Sequence, residues 1–148
     1  MNRVKKAEEL FKSGYNCAQT VFGAFSDDLG VDFDTAMKIS EGFGAGMGRM
    51  RLTCGAVSAI TMIAGMKLSR GAEEGDTRAV VYDKIHKMAD EFAKNNGSII
   101  CGDLLGLNEN KVYNPNPEAR DDAYYKKRPC VEFVKECVEI AEKYFDID

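Results

Sequence analysis

Four glycines at alternate positions, Gly42, Gly44, Gly46 and Gly48, constrain this chain more than any other stretch. Glycine loses more backbone freedom on ordering than any other residue, so GFGAGMG makes a poor helix and reads as a loop. It belongs to the segment from Glu41 to Met66, EGFGAGMGRMRLTCGAVSAITMIAGM. Arg49 and Arg51 add two fixed positive charges, and Thr53 suits the N-cap of the apolar run that follows. Cys54 then falls at the first helical position. There, unpaired N–H groups and the positive end of the helix dipole favour a thiolate over a thiol. Cys54 reads as a reactive or ligating sulfur, with Gly44, Gly46, Gly48, Arg49 and Gly55 as the residues beside a cofactor. The competing reading is an inert core residue, because cysteine is among the most buried residue types. Deciding between them requires other cysteines in the same setting.

With 148 residues, the chain is long enough for one domain, residues 1–148, around a single core. Its 45% hydrophobic and 30% charged content marks a soluble globular protein. A net charge of −4 without any Lys/Arg block points away from nucleic acid and from anionic membranes. The start, MNRVKKAEELFKSG, has no apolar h-region, and the run from Cys54 to Met66 is too short to span a bilayer. The expected location is the cytoplasm, where five cysteines suit catalytic, redox or metal roles better than a disulfide framework.

Val4, Ala7, Leu10 and Phe11 recur at helical spacing and give a first helix that ends near Gly14. Asn16 is the N-cap of a second helix, and Gln19 completes a capping box, so Cys17 takes the first helical position. Asp34 can cap a third helix, TAMKISEGF. Apolar residues at 80, 81, 85, 88, 89 and 92 form the stripe of a long amphipathic helix from Thr77 to Lys94, closed by Asn95, Asn96 and Gly97. Ser98 can cap a brief turn holding Cys101, residues 106–117 read as loop, and the last helix opens at Pro129 with Cys130 just inside it. No alternating run bounded by tight turns marks a strand. The fold class is all-α, an irregular bundle of about six helices.

Cys17, Cys54 and Cys130 thus share the first turn of a helix, and Cys101 lies near a short one. A helix start offers unpaired N–H donors and partial positive charge, so convergence of these starts would make an electropositive site lined with sulfur. Three or four thiolates there can hold an iron–sulfur cluster. Two could instead cycle between dithiol and disulfide without metal, as a redox protein or sensor. A structural zinc-binding or interaction domain is the third reading, although the cysteine gaps are long for common zinc patterns. Cys137, two turns beyond Cys130 on the same helix face, is placed in the core with Val134, Val138 and Ala141.

Other chemistries find little footing. The glycine loop lacks GxGxxG spacing and a preceding strand, no GxxxxGK[ST] is present, and no CxxCH can attach haem. His86, the one histidine, sits on an amphipathic helix as an ordinary surface or boundary residue. Met47, Met50, Met62 and Met66 are better packing or loop residues than ligands.

Four pieces in order, GYNCAQTVFGAF, GFGAGMG with TCGAVSA, GSIICGDLLG and RPCVEFV, make nearly the whole chain resemble the redox-active C_GCAxxG_C_C family. Cys54, Gly55 and Ala56 match its CGAxxG box, while Ala59 replaces the final glycine. The resemblance implies that Cys17, Cys54, Cys101 and Cys130 are the shared redox thiols, or the metal ligands if a cluster is bound, and that Cys137 is extra. The family is similar to the cluster-binding part of split-Soret cytochromes; without a haem-attachment motif, only the cluster half carries over. The expected function is electron transfer with a redox partner of unknown identity, and a homodimer is left open.

Overall fold

The computed structural model describes residues 2–107 and 130–145. It has six helices of nine residues or more: α1 Arg3–Lys12, α2 Cys17–Leu29, α3 Phe33–Glu41, α4 Gly55–Leu68, α5 Arg78–Asn96 and α7 Cys130–Phe145. A single turn, α6 Cys101–Leu104, lies between the last two. No strand forms among the described residues, where β pairing is limited to one bridge between Thr53 and Ile100. The fold is all-α, as the helical periodicity indicates. The loop residues 108–117 and the helix start at Pro129 lie outside the described residues. Among the described residues no helix is long and apolar enough to cross a membrane.

The α2 sequence, CAQTVFGAFSDDL, is mostly small or apolar around its circumference until Ser26, with Gln19 and Thr20 as the buried polar residues before it. Every residue from Ala18 to Ser26 is buried. Such a helix must be covered on all sides, and α1, α3, α4 and α7 all pack against α2. Its main neighbour is α4, which buries Ala56, Val57, Ala59, Ile60, Ile63 and Ala64. Phe11, Phe25, Ile60, Ile63, Met88 and Phe92 are the largest fully buried side chains, each contributing roughly 1.5–3 kcal/mol by leaving water. One buried polar atom, Thr20 Oγ1, has no hydrogen-bond partner among the described residues.

The capping box at α2 forms in full. Asn16 Oδ1 accepts the Gln19 N–H at 2.9 Å, and Gln19 Oε1 accepts the Asn16 N–H at 3.0 Å. At α3 the cap is Asp32, not Asp34: Asp32 Oδ2 accepts the Thr35 N–H at 3.1 Å, while Asp34 lies inside the first turn and pairs with Lys38. The earlier start brings Phe33 into the helix, where its ring meets Tyr15 edge-on at 5.8 Å. Arg3 ties three helices together. It donates to both Asp28 oxygens at 2.7 and 2.8 Å and to Glu142 Oε2 at 2.9 Å. The guanidinium bond holds the Asp28 carboxyl below its usual range.

Candidate functional site

The glycine loop leaves α3 in an unusual conformation. Ala45, Gly46, Met47, Gly48, Arg49 and Arg51 all have φ between 54° and 71°. A left-handed φ costs a non-glycine residue roughly 1–2 kcal/mol, so such a run persists only where surrounding bonds over-determine it. Here the Arg51 N–H donates to Ala45 O at 3.3 Å and the Leu52 N–H to Gly46 O at 2.9 Å. The loop folds back on itself through these bonds and brings Gly46 against Cys101.

Contacts at two loop glycines and at Gly55, the first residue of α4, join separate helix starts. A Cβ on Gly44 would fall on the Asn16 side chain, whose Nδ2 donates to Glu41 O at 2.9 Å. A Cβ on Gly55 would lie 3.0 Å from Phe43 O and 3.1 Å from Ala18 N, one residue past Cys17. On Gly46 it would lie 2.7 Å from both Cys101 Cβ and Arg51 Cα. Gly48 differs, because nothing lies closer than 4.0 Å and its role is conformational, with φ at 59°. Arg49 is half-buried on the same loop.

Cys54 and Cys101 are aligned by a short backbone ladder. The Cys54 N–H donates to Ile99 O at 2.7 Å, the Cys101 N–H to Leu52 O at 2.6 Å, and the Gly102 N–H to Arg51 O at 3.1 Å. This corrects the local reading of α4. Thr53 pairs with Ile100, and Cys54, with φ −51° and ψ 131°, is the N-cap instead of the first helical residue. Ile100, not Ser98, occupies the N-cap of α6; Ser98 Oγ accepts the Ile100 N–H at 2.9 Å and donates to Asp103. The β-branched residues Thr53, Ile99 and Ile100 carry the pairing signal in sequence, but two or three residues are too few for a strand pattern.

The four candidate sulfurs gather in one region. Cys130 Sγ is hydrogen-bonded with Cys17 and is near enough to Cys54 and Cys101 for their charges to oppose its ionisation. Cys54 is likewise opposed by Cys17 and Cys101. Cys54, Cys101 and Cys130 are buried and Cys17 is half-buried. Cys137 is fully buried behind them, close enough to feel Cys54 and Cys17 from the core side. Arg51 reaches the site as well: its Nη1 donates to Cys101 Sγ at 3.6 Å. That side-chain contact was legible only as nearby positive charge.

Burial overturns the expected ionisation. The Cys54 thiol is pushed up to about 12, first by burial and then by Cys17; the Val57 and Ala56 N–H groups pull it down but are outweighed. The bond with Cys17, burial and the neighbouring sulfurs push Cys130 up as well. Burial thus favours the neutral thiol at Cys54 over what its helix start returns, and the bond with Cys17, followed by burial, favours it at Cys130. Among the described residues, no three His, Cys, Asp or Glu side chains are grouped to hold a single metal ion.

A family profile described as "Putative redox-active protein (C_GCAxxG_C_C)" matches residues 15–144. No curated protein and no solved structure matches the chain. The matched span contains the glycine loop and all the cysteines that meet beside it. The chain belongs to the C_GCAxxG_C_C family of redox-active proteins.

Proposed function

We propose that Cys17, Cys54, Cys101 and Cys130 work as one redox centre and hold an iron–sulfur cluster through which the protein passes electrons. The observation that carries this reading is the mutual influence of four sulfurs from four separate places in the chain. Four cysteines are the usual donor set for such a cluster. Arg51 beside Cys101, and the Ala56 and Val57 N–H groups beside Cys54, offset the negative charge of the set. A cluster brings its own sulfides, so its thiolates need not meet around one ion. Bound there, it would supply one-electron chemistry; the chain's part is to hold the sulfurs and exclude water from three of them.

The Cys17–Cys130 contact favours a second reading, a metal-free dithiol. Two thiols would give two electrons and two protons to an oxidant and become one disulfide. Anaerobic purification and reconstitution with iron and sulfide separate the two. The cluster reading expects visible absorption that bleaches on reduction, with an electron paramagnetic resonance signal in one redox state. A colourless, iron-free product that forms a Cys17–Cys130 disulfide on oxidation would replace the first reading with the second.

A further inference from the structure

We infer that Arg51 is the positioning residue of the centre: it fixes Cys101 and offsets the negative charge carried by that sulfur. The inference rests on Cys101 being part of the proposed redox centre. Two hydrogen bonds tie Arg51 to the Cys101 turn, and both residues flank Gly46. The guanidinium donates to Cys101 Sγ at 3.6 Å, the Arg51 carbonyl accepts the N–H of Gly102 at 3.1 Å, and Arg51 Cα and Cys101 Cβ crowd the same side of Gly46. Arg51 holds this place with φ at 60°, an uncommon conformation for a side chain of its size. The half-buried guanidinium stays charged at any working pH, so it is a fixed cation beside the sulfur.

Other charged or titratable groups stand on the neighbouring elements. Cys54 and Cys130 interact unfavourably with Cys101 when charged. Cys17 bonds with Cys130, Asp103 on α6 accepts from Ser98, and Arg49 stands two residues away on the same loop. Arg51 thus brings a cationic hydrogen-bond donor to Cys101 Sγ. A hydrogen bond from a cation stabilises added negative charge on a sulfur, which in a loaded centre favours the reduced state.

The test compares the full chain with Arg51→Gln and Arg51→Lys, each first checked for a parent-like melting transition. In the reduced, metal-free proteins, limiting iodoacetamide at one pH is followed by peptide mass spectrometry, and Cys101 labelling is divided by Cys17 labelling in the same molecules. Arg51→Gln should lower that ratio about tenfold and Arg51→Lys about threefold, because a charge is lost in the first and only the fork geometry in the second. An unchanged ratio overturns the inference; if Arg51→Gln does not fold, the Arg51→Lys ratio decides. In reconstituted protein, Arg51→Gln should shift the one-electron equilibrium about tenfold toward the oxidised state, about 59 mV in potential. An unmoved potential overturns the charge role. If the parent takes up no iron, it is the cluster proposal that fails, and the labelling ratio alone judges Arg51.

Discussion

Gly46 and Cys101 touch so closely that a Cβ at position 46 would sit 2.7 Å from the Cβ of Cys101. The same added atom would meet Leu52 N and Arg51 Cα at 2.7 Å, so backbone would have to move. Gly46→Ala is expected to cost about 1–3 kcal/mol from the left-handed φ and the overlap together. Chemical denaturation measures the loss. Labelling of Cys101 relative to Cys17 should change in the same variant, because the overlap pushes on the turn that presents Cys101.

Cys137 lies behind the site, fully buried beside Val134, Val138 and Ala141 in the last helix. Burial pushes its thiol well above the usual range. Cys137→Ala should cost about 1 kcal/mol through the lost sulfur contact and leave the redox chemistry in place. Cys54→Ala should abolish that chemistry with the fold retained. Melting curves and thiol titration of the two variants check both statements, and loss of redox chemistry in Cys137→Ala alone would move the centre along the last helix.

Thr20 is fully buried on the central helix, and its hydroxyl has no partner among the described residues. A buried, unpaired polar group costs about 1–3 kcal/mol. Thr20→Val keeps the branched shape and removes the hydroxyl, so the variant should be more stable by about 1 kcal/mol. A rise in the denaturation midpoint at constant slope is the expected result; a fall would mean that the hydroxyl is satisfied.

The Arg3–Asp28 pair gives stability a dependence on acid. The Asp28 carboxyl has a folded pKa below its ordinary value of 3.8, chiefly through the hydrogen bond from Arg3. Its contribution is therefore complete above that ordinary value and is lost as pH falls through the lower, folded one. Arg3→Gln should cost about 1 kcal/mol at neutral pH, since the pair is partly exposed and screened. The difference between parent and variant should shrink in urea titrations as the pH is taken progressively below 3.8.

Much of this architecture was legible because it is local. The capping box of Asn16 and Gln19 needs only residues three apart, and it places Cys17 at a helix start without reference to the rest of the chain. The glycine loop was equally plain from composition. What sequence could not supply was the partner of each local feature. Thr53 has the side chain of a good N-cap, but pairing with Ile100, 47 residues away in sequence, takes its backbone out of that role. Asp32 and Asp34 both carry capping side chains, and in the fold Asp32 takes the cap while Phe33 meets Tyr15. The thiolate expected at Cys54 rested on its helix start, whereas burial and adjacent sulfurs are products of the folded whole. Arg51 could be read as a positive charge, but its contact with Cys101 exists only once the ladder has formed.

The central claim is that four cysteines form one centre, and iron with acid-labile sulfide per chain tests it most directly. The measurement is made after anaerobic reconstitution on the parent and on each single Cys→Ala variant. The account predicts iron and sulfide in roughly equal amounts in the parent, as in the common clusters. Both should be lost or sharply reduced in Cys17→Ala, Cys54→Ala, Cys101→Ala and Cys130→Ala, and stay at the parent level in Cys137→Ala. A parent that binds neither, or binding that survives removal of two or more of the four, would contradict it.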